Sequence, residues 1–492
     1  MEQIQLSVMN SITRLTDMRS YDHQFHQLVN FLTILAIVAA FHVPSGHGQE
    51  PDPERVLALV GGMLLDGYDA APIYDPVVLI RGNEIVGAGP AGTVDVPDEA
   101  HLIDTSGKTI LPGLIDLHVH MELLGHGDYE EYYEFIGNLD RLEVSREIAA
   151  KQSLRAGVTT VLDLGSTLDI LETRRRIDSG EIPGPRLLVS GPWISRLPVS
   201  IVPEEMQIVV SSPKEAAART VELIERGVDV IKTWEGLTRE DYVAIVREAH
   251  QRGIKVHAHL YDPAKVRLAL DSGVDVLQHM GSAKNPPYAD ELVLEIAHKN
   301  IPVVQTIAHR IWIYPATVAF PTRLEDPRLR ADLPADFYAE FQRSFVLFHR
   351  RDYFRQVERE IRLAPVAAAQ FIDAGAVLGV GTDAGSPMNF HSEALWREMS
   401  ALVDSGMTAS QVISAATKTN AEILGNMQLL GGKRRFGTIE PGMLADLIVV
   451  DGDPLFDINV LGHVEFTIKD GVLWYANDGA DKSVRLIGNR LD

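Results

Sequence analysis

The sequence predicts an α/β fold: a (β/α)8 barrel, carrying a small β-sandwich domain formed from both ends of the chain. Three observations predict it. Residues 111–425 alternate short apolar runs with amphipathic stretches of helical spacing, and eight such runs can be counted. β-rich segments over 55–110 and 436–485 bracket that middle. Polar residues of metal-ligand type recur at the C-terminal ends of the runs, the end where α/β barrels place reactive groups.

The elements follow in chain order. Residues 1–50 hold the apolar run FLTILAIVAAF at 31–41, too short for a membrane span of ~20 residues but suited to the core of a signal peptide of roughly 7–15. Small residues and the polar stretch QEPDPE follow it. An exported protein, periplasmic or secreted, is the expectation, with an uncleaved anchor or a cytoplasmic chain as the alternative. Upstream, Glu2, Asp17 and Asp22 outnumber Arg14 and Arg19, which is not the positive flank of a standard signal; a start at Met18 would shorten it. RVLALVGGMLLDG, PVVLIRGNEIVGAGP and HLIDTSGKTILPG then read as strands punctuated by Gly, Asn and Pro. GTIEPGMLADLIVVDGDP and HVEFTIKDGVLWYA repeat that pattern near the C-terminus.

Between them the barrel strands are ILPGLIDLHVH, GVTTVLDLGS, PRLLVSGPWI, DVIKTW, KVHAHL, VDVLQHM, PVVQTI and AVLGVGTDAG. PKEAAARTVELIERG and REDYVAIVREAHQRG have the apolar spacing of connecting helices. An open doubly wound sheet is disfavoured because no glycine-rich phosphate loop follows the first strand. Residues 310–365 are far too long for an ordinary connection. They read as a partly helical insertion near the barrel mouth: a lid, a pocket wall, an oligomer contact or a solvated helical insertion.

Composition narrows the function. The 492 residues include 45 basic and 68 acidic ones, a net charge of -23, which argues against a nucleic-acid partner, because phosphate binding needs a concentrated positive surface. A small-molecule substrate is expected, and a homo-oligomer. With no cysteine, there is no disulfide, thiolate zinc site or cysteine nucleophile. Any metal must be held by His, Asp, Glu or a modified Lys.

His118 and His120 sit at i and i+2 of the first strand, so both imidazoles enter the same face. Lys232 in DVIKTW, His257 and His259 in KVHAHL, His279 in VDVLQHM and Asp383 in GVGTDAG lie at the ends of the fourth, fifth, sixth and eighth strands. Packing alone does not account for such a set, since a buried lysine costs several kcal/mol unless paired. Imidazole and carboxylate ligands suit zinc and related divalent ions. An ammonium cannot bind a cation, so Lys232 either has another role or, neutralised by burial, adds carbon dioxide to become a carbamate that can bridge two ions. Alternation cannot choose between His257 and His259 as the fifth-strand ligand. Near the mouth, Tyr261, His309 and Arg310 are candidate substrate-binding residues, an arginine there being able to pair with a substrate carboxylate.

LPGLIDLHVH, the lysine of VIKTW, AHLYD, LQHM, GTDAG, NAEILG and GTIEPGMLADLIVVDGDP together resemble the amidohydrolase superfamily over about residues 55–475. The nearest branch is the imidazolonepropionase-like group that includes metal-dependent Xaa-Pro dipeptidases (prolidases). The resemblance implies a binuclear centre of two divalent metal ions, zinc foremost. His118, His120 and Asp383 would bind one ion, His259 and His279 the other, and carboxylated Lys232 would bridge them. His259 is preferred on its spacing to the sixth-strand histidine, leaving His257 as a supporting or substrate-facing group. Asp383 would be catalytic, passing a proton from the attacking water to the leaving amine. The implied activity is hydrolysis of an amide C–N bond in an N-acyl amino acid or Xaa-Pro-type dipeptide by a hydroxide shared between the ions. An imidazolonepropionase-like cyclic-amide hydrolase, a lactonase or a deaminase on the same scaffold is the alternative. A non-catalytic, metal-stabilised binding protein is the alternative of another class, disfavoured because Asp383 need not be kept for stability.

Overall fold

The computed structural model describes residues 55–136, 139–281, 287–319, 321–330, 332–346, 352–425, 435–477 and 484–486. The expected leader at 1–50 lies outside them. No helix among the described residues is long and apolar enough to cross a membrane.

Among the described residues, eight of the parallel strands follow in series: β1 (Leu114–Val119), β2 (Val158–Asp163), β3 (Arg186–Val189), β4 (Val230–Thr233), β5 (Lys255–His259), β6 (Val276–Gln278), β7 (Val303–Val304) and β8 (Leu378–Gly379). β1, β2 and β3 pair in order in one sheet, and β4 to β8 pair in order in a second. Backbone hydrogen bonds join the two sheets at two seams. Leu117 N to Val380 O and His120 N to Ala384 O link β1 to the chain after β8, and Asp229 N to Val189 O links β3 to the start of β4. The strands are buried along almost their whole length, as parallel strands covered on both faces must be.

Connecting helices start and stop on local chemistry. Ser212 caps the helix Pro213–Arg226 by accepting from Glu215 N, and Gly227, at φ 96°, ends it in the left-handed region. Thr238 and Asp241 form a reciprocal capping box on Arg239–His250. The run PRLLVSGPWI, expected as one strand, divides into β3 and a short strand Trp193–Ser195. Gly191, at φ 62°, followed by Pro192, which has no N–H to donate, breaks it. The second piece pairs with Gln207–Val209 and touches β4 at Thr233.

The β-rich ends fold together. Lys108–Pro112 pairs antiparallel with Leu447–Asp451, which continues to Val464–Lys469 and Val472–Asn477. A second sheet orders Glu84–Pro90, Pro76–Arg81, Val56–Val60 and His101–Asp104. Leu57, Leu59, Val78 and Ile80 of that sheet share one apolar core with Ile110, Leu447, Val449 and Ile468 of the first. Arg186, at the start of β3, pins these sheets to the parallel strands: it donates to Asp446 at 2.5 Å and Asp470 at 2.6 Å.

The described part of the long connection after β7 is partly helical, as expected, with the pieces His309–Ile313, Tyr314–Ala319, Ala335–Ser344 and Asp352–Asp373 among its helices. Its last helix runs past the expected end at 365 and continues through Pro365. Ser344 in this insertion accepts from Gly127 N at 3.0 Å, so the connection packs on the loop that follows β1.

Candidate metal centre

β1 delivers His118 at its penultimate position and His120 one residue beyond its end. Asp383 lies four residues past β8 in a turn where its φ is 61°. Ligand atoms of His118, His120 and Asp383 all lie within 4.8 Å of one another. His120 Nε2 is 3.1 Å and His118 Nε2 3.8 Å from Asp383 Oδ1. Lys232 of β4, fully buried, places Nζ 3.4 Å from His118 Nε2.

The other histidines continue the cluster. The His279 ring is centred 4.3 Å from that of His118, and the His259 ring 4.4 Å from that of His279. His279 has φ 65°, one residue past β6, and its Nδ1 is 3.0 Å from Thr306 Oγ1, whose residue has φ 53°. Three non-glycine residues in the left-handed region meeting at one site mark backbone strain held by its surroundings, a signature of functional positions. Trp234 stacks on His259 at 3.5 Å between ring centres.

Electrostatics suit electron-pair donors. Burial drives His118 and His279 well below the ordinary histidine range, with Lys232 and neighbouring histidines adding to it, so both imidazoles are neutral. Burial likewise brings Lys232 down from 10.5 to about 7. Burial would raise the Asp383 carboxyl, but His120, His309, His279 and His118 around it hold it well below the usual carboxylate range. Neutral imidazoles, an ionised carboxylate and an amine that is substantially uncharged near neutrality form a donor set fitted to divalent cations.

The remaining candidates are placed as follows. Tyr261 borders the cluster, its ring 4.8 Å from that of His259 and 5.6 Å from that of His279. His309 is buried with Nδ1 3.7 Å from Asp383 Oδ2, while its Nε2 donates to the Pro387 carbonyl at 2.8 Å. Arg310 bonds Glu360 through Nε at 2.5 Å and stands over the Tyr314 ring, a use that competes with the expected pairing to a substrate carboxylate. His257 is buried below the cluster and reaches it through a residue that sequence reasoning passed over. Gln278 Oε1 accepts from His118 Nδ1 at 2.8 Å, and Gln278 Nε2 donates to His257 Nδ1 at 3.0 Å.

Other supporting residues were also missed. Asp116, whose burial pushes its carboxyl up to about 7, accepts from His118 N, Thr382 N and Thr382 Oγ1, locking β1 to the turn that carries Asp383. Asp163 accepts from Met121 N and Ser166 Oγ, and Glu398 from Ile307 N and Ala308 N. An acid inside an otherwise apolar strand, as in LIDLHVH and VLDLGS, is the signal that could have found the first two. Nothing local marks Glu398.

Comparison with known proteins agrees with this geometry. An uncharacterized protein of Mycobacterium tuberculosis is 26% identical over 378 residues, 74% of this chain and 85% of its own. A Bifidobacterium longum structure assigned as a prolidase is 26% identical, covers 85% of this chain and 94% of its own, and superposes with a TM-score of 0.64. The A. niger ochratoxinase structure shares the fold at 20% identity, with a TM-score of 0.67 and coverage of 88% of this chain and 99% of its own. The profile of the amidohydrolase family matches residues 109–473, most of the chain and the whole of the site. The chain therefore belongs to the amidohydrolase family and is a hydrolase of carbon–nitrogen bonds.

Proposed function

We propose that this enzyme hydrolyses the amide bond of a small N-acyl amino acid or Xaa-Pro-type dipeptide at a centre for two divalent ions, zinc foremost. The observation that carries the reading is Lys232 Nζ, buried at 3.4 Å from His118 Nε2 and beside the His118–His120–Asp383 cluster. His118, His120 and Asp383 would hold one ion, and His259 and His279 the other. Lys232, as its carbamate, would bridge them: the neutral amine attacks the carbon of CO2, a C–N bond forms, one C=O electron pair moves to oxygen, and the amine proton leaves to solvent. When bound, the two ions supply an acidified water near neutral pH and polarise the substrate carbonyl.

The protein's own residues do the rest. Asp383, held ionised by the imidazoles around it, takes the proton of the attacking water and delivers it to the leaving nitrogen. Asp116 and Thr382 fix the turn that aims its carboxylate. Tyr261, beside His259 and His279, and His309, beside Asp383, are candidates to orient the substrate. The prolidase assignment of the B. longum neighbour supports the Xaa-Pro alternative in the substrate class.

The finer architecture belongs to the same reading. The two parallel sheets, joined at both seams, constitute a closed (β/α)8 barrel over 111–425 with its insertion at 310–365. The two β-rich ends, 55–110 and 436–485, form a composite β-sandwich. An exported homo-oligomer completes it.

The test is a screen of N-acyl amino acids and Xaa-Pro dipeptides against zinc-loaded protein, with metal content measured in parallel. Hydrolysis by protein holding close to two ions is expected. Turnover of an imidazolone or a lactone, with neither amide class cleaved, would overturn the substrate assignment. Full activity with a single ion would overturn the binuclear one.

A further inference from the structure

Gln278 is fully buried at the end of β6, and its single amide sets two histidines at once. Its carbonyl oxygen faces His118 Nδ1 at 2.8 Å and accepts, so that nitrogen carries the ring proton and Nε2 keeps its lone pair for a metal ion. Its amide nitrogen faces His257 Nδ1 at 3.0 Å and donates, so Nδ1 is the acceptor and His257 must carry its proton on Nε2. A neutral imidazole in that tautomer cannot use Nε2 as a metal ligand. The fifth-strand ligand is then His259, and the His257 Nε2–H is left to find an acceptor.

It has none among the described residues, although the atom is buried. A buried donor without an acceptor is costly, and its neighbourhood shows what would satisfy it. In the parallel pairing of β4 and β5, His257 stands directly beside Lys232. The unmodified Lys232 amine makes no hydrogen bond with that N–H. A carbamate adds two carboxylate-like oxygens beyond Nζ, on the side of the barrel that both residues face.

We propose that His257 is the hydrogen-bond donor that holds the carboxylated head of Lys232, with Gln278 as the positioning residue that fixes the tautomers of His257 and His118 together. The inference rests on Lys232 being carboxylated. His257 then keeps the carbamate in place and turned toward its metal-facing orientation, and binds no ion itself. One amide thereby couples a ligand of the first ion to the bridge.

The experiment reads the carbamate rather than turnover. Zinc-loaded protein is equilibrated with 13C-bicarbonate, and the carbamate carbon is followed by 13C NMR as bicarbonate is lowered. His257→Phe should raise the bicarbonate needed for half-maximal signal at least ~10-fold, the scale on which partners of metal ligands act. His257→Gln, which keeps an N–H near the same place, should recover part of it. Gln278→Leu should share the defect although it leaves His257 in place. In the unaltered protein, 15N-histidine spectra should show one histidine protonated at Nε2 whose signal moves when carbon dioxide is removed. A normal carbamate signal with an unchanged bicarbonate requirement in folded His257→Phe or Gln278→Leu overturns the inference, as does a His257 signal indifferent to carbon dioxide. No carbamate in the wild-type protein instead overturns the bridging role of Lys232, a distinct outcome.

Discussion

Lys232→Met in metal-free, carbon-dioxide-free protein isolates what the buried amine costs the fold. The wild-type amine is brought from 10.5 to about 7 by burial. A lysine whose folded value lies below its unfolded value binds fewer protons when folded. Its cost is therefore full below about 7 and fades as pH rises toward 10.5. At 1.36 kcal/mol per pH unit the full cost is roughly 5 kcal/mol, of which on the order of 2–3 kcal/mol is relieved between about pH 6 and pH 9. Methionine has nearly the same length and no proton to lose. The assay is urea unfolding followed by tryptophan fluorescence, with chelator present, for both proteins at both pH values. The variant should be the more stable at pH 6, and its advantage should shrink by that amount at pH 9. Parallel pH dependence in the two proteins would refute the claim that Lys232 is held neutral, and with it the route to a carbamate.

Asp383→Asn keeps an oxygen near His120 but cannot shuttle the proton; turnover of any amide substrate should fall by ~10²–10⁴-fold, checked by steady-state kinetics beside metal analysis. Gly165→Ala should weaken metal binding, because a Cβ there would stand 2.7 Å from the Trp193 ring and 3.3 Å from the His120 ring at a φ of 152°. With overpacking costing typically ~1–3 kcal/mol, chelator competition should show at least a severalfold loss of affinity. Arg186→Met leaves Asp446 buried without its partner, and should cost about 3–5 kcal/mol of stability with little change in metal affinity; denaturant titration and metal analysis separate the two. Thr306→Val removes the hydroxyl at His279 Nδ1 and should lower metal affinity by ~10-fold or more, read by the same competition.

The candidate site residues were legible because parallel α/β strands carry chemistry at their C-terminal ends, and an apolar run ending in histidine shows against its background. His118, His120, Lys232 and His279 needed only that rule. His257 and His259 defeated it, since alternation gives both the same face; the proposed distinction lies in which nitrogen holds the proton, which Gln278 from the next strand would set. Asp383 was found by the motif, but its place four residues beyond β8 was not, because a short polar turn carries no periodicity. The split of PRLLVSGPWI was visible in its Gly-Pro pair, though strand propensity argued for continuity. Glu398 illustrates the opposite limit. It lies in a helix and acts on two backbone N–H groups some ninety residues earlier in the chain, a relation that only tertiary contact creates. The pairing of Arg310 with Glu360 inside the insertion is of the same kind.

The antiparallel pairing of Lys108–Pro112 with Leu447–Asp451 has a consequence for the order of events during synthesis. Only Gly113 separates that first strand from β1, so the segment that delivers His118 and His120 is aligned by a partner near the far end of the polypeptide. Thr109 Oγ1 donates to the Gly452 carbonyl across 343 positions of sequence. A growing chain presents its first two histidines long before the strand that sets their register has left the ribosome. Contacts so distant close slowly, and the candidate metal centre can mature only once the strand Leu447–Asp451 has been made. A stop codon shortly before Leu447 would delete none of the candidate site residues and still leave the first strand of the site unanchored.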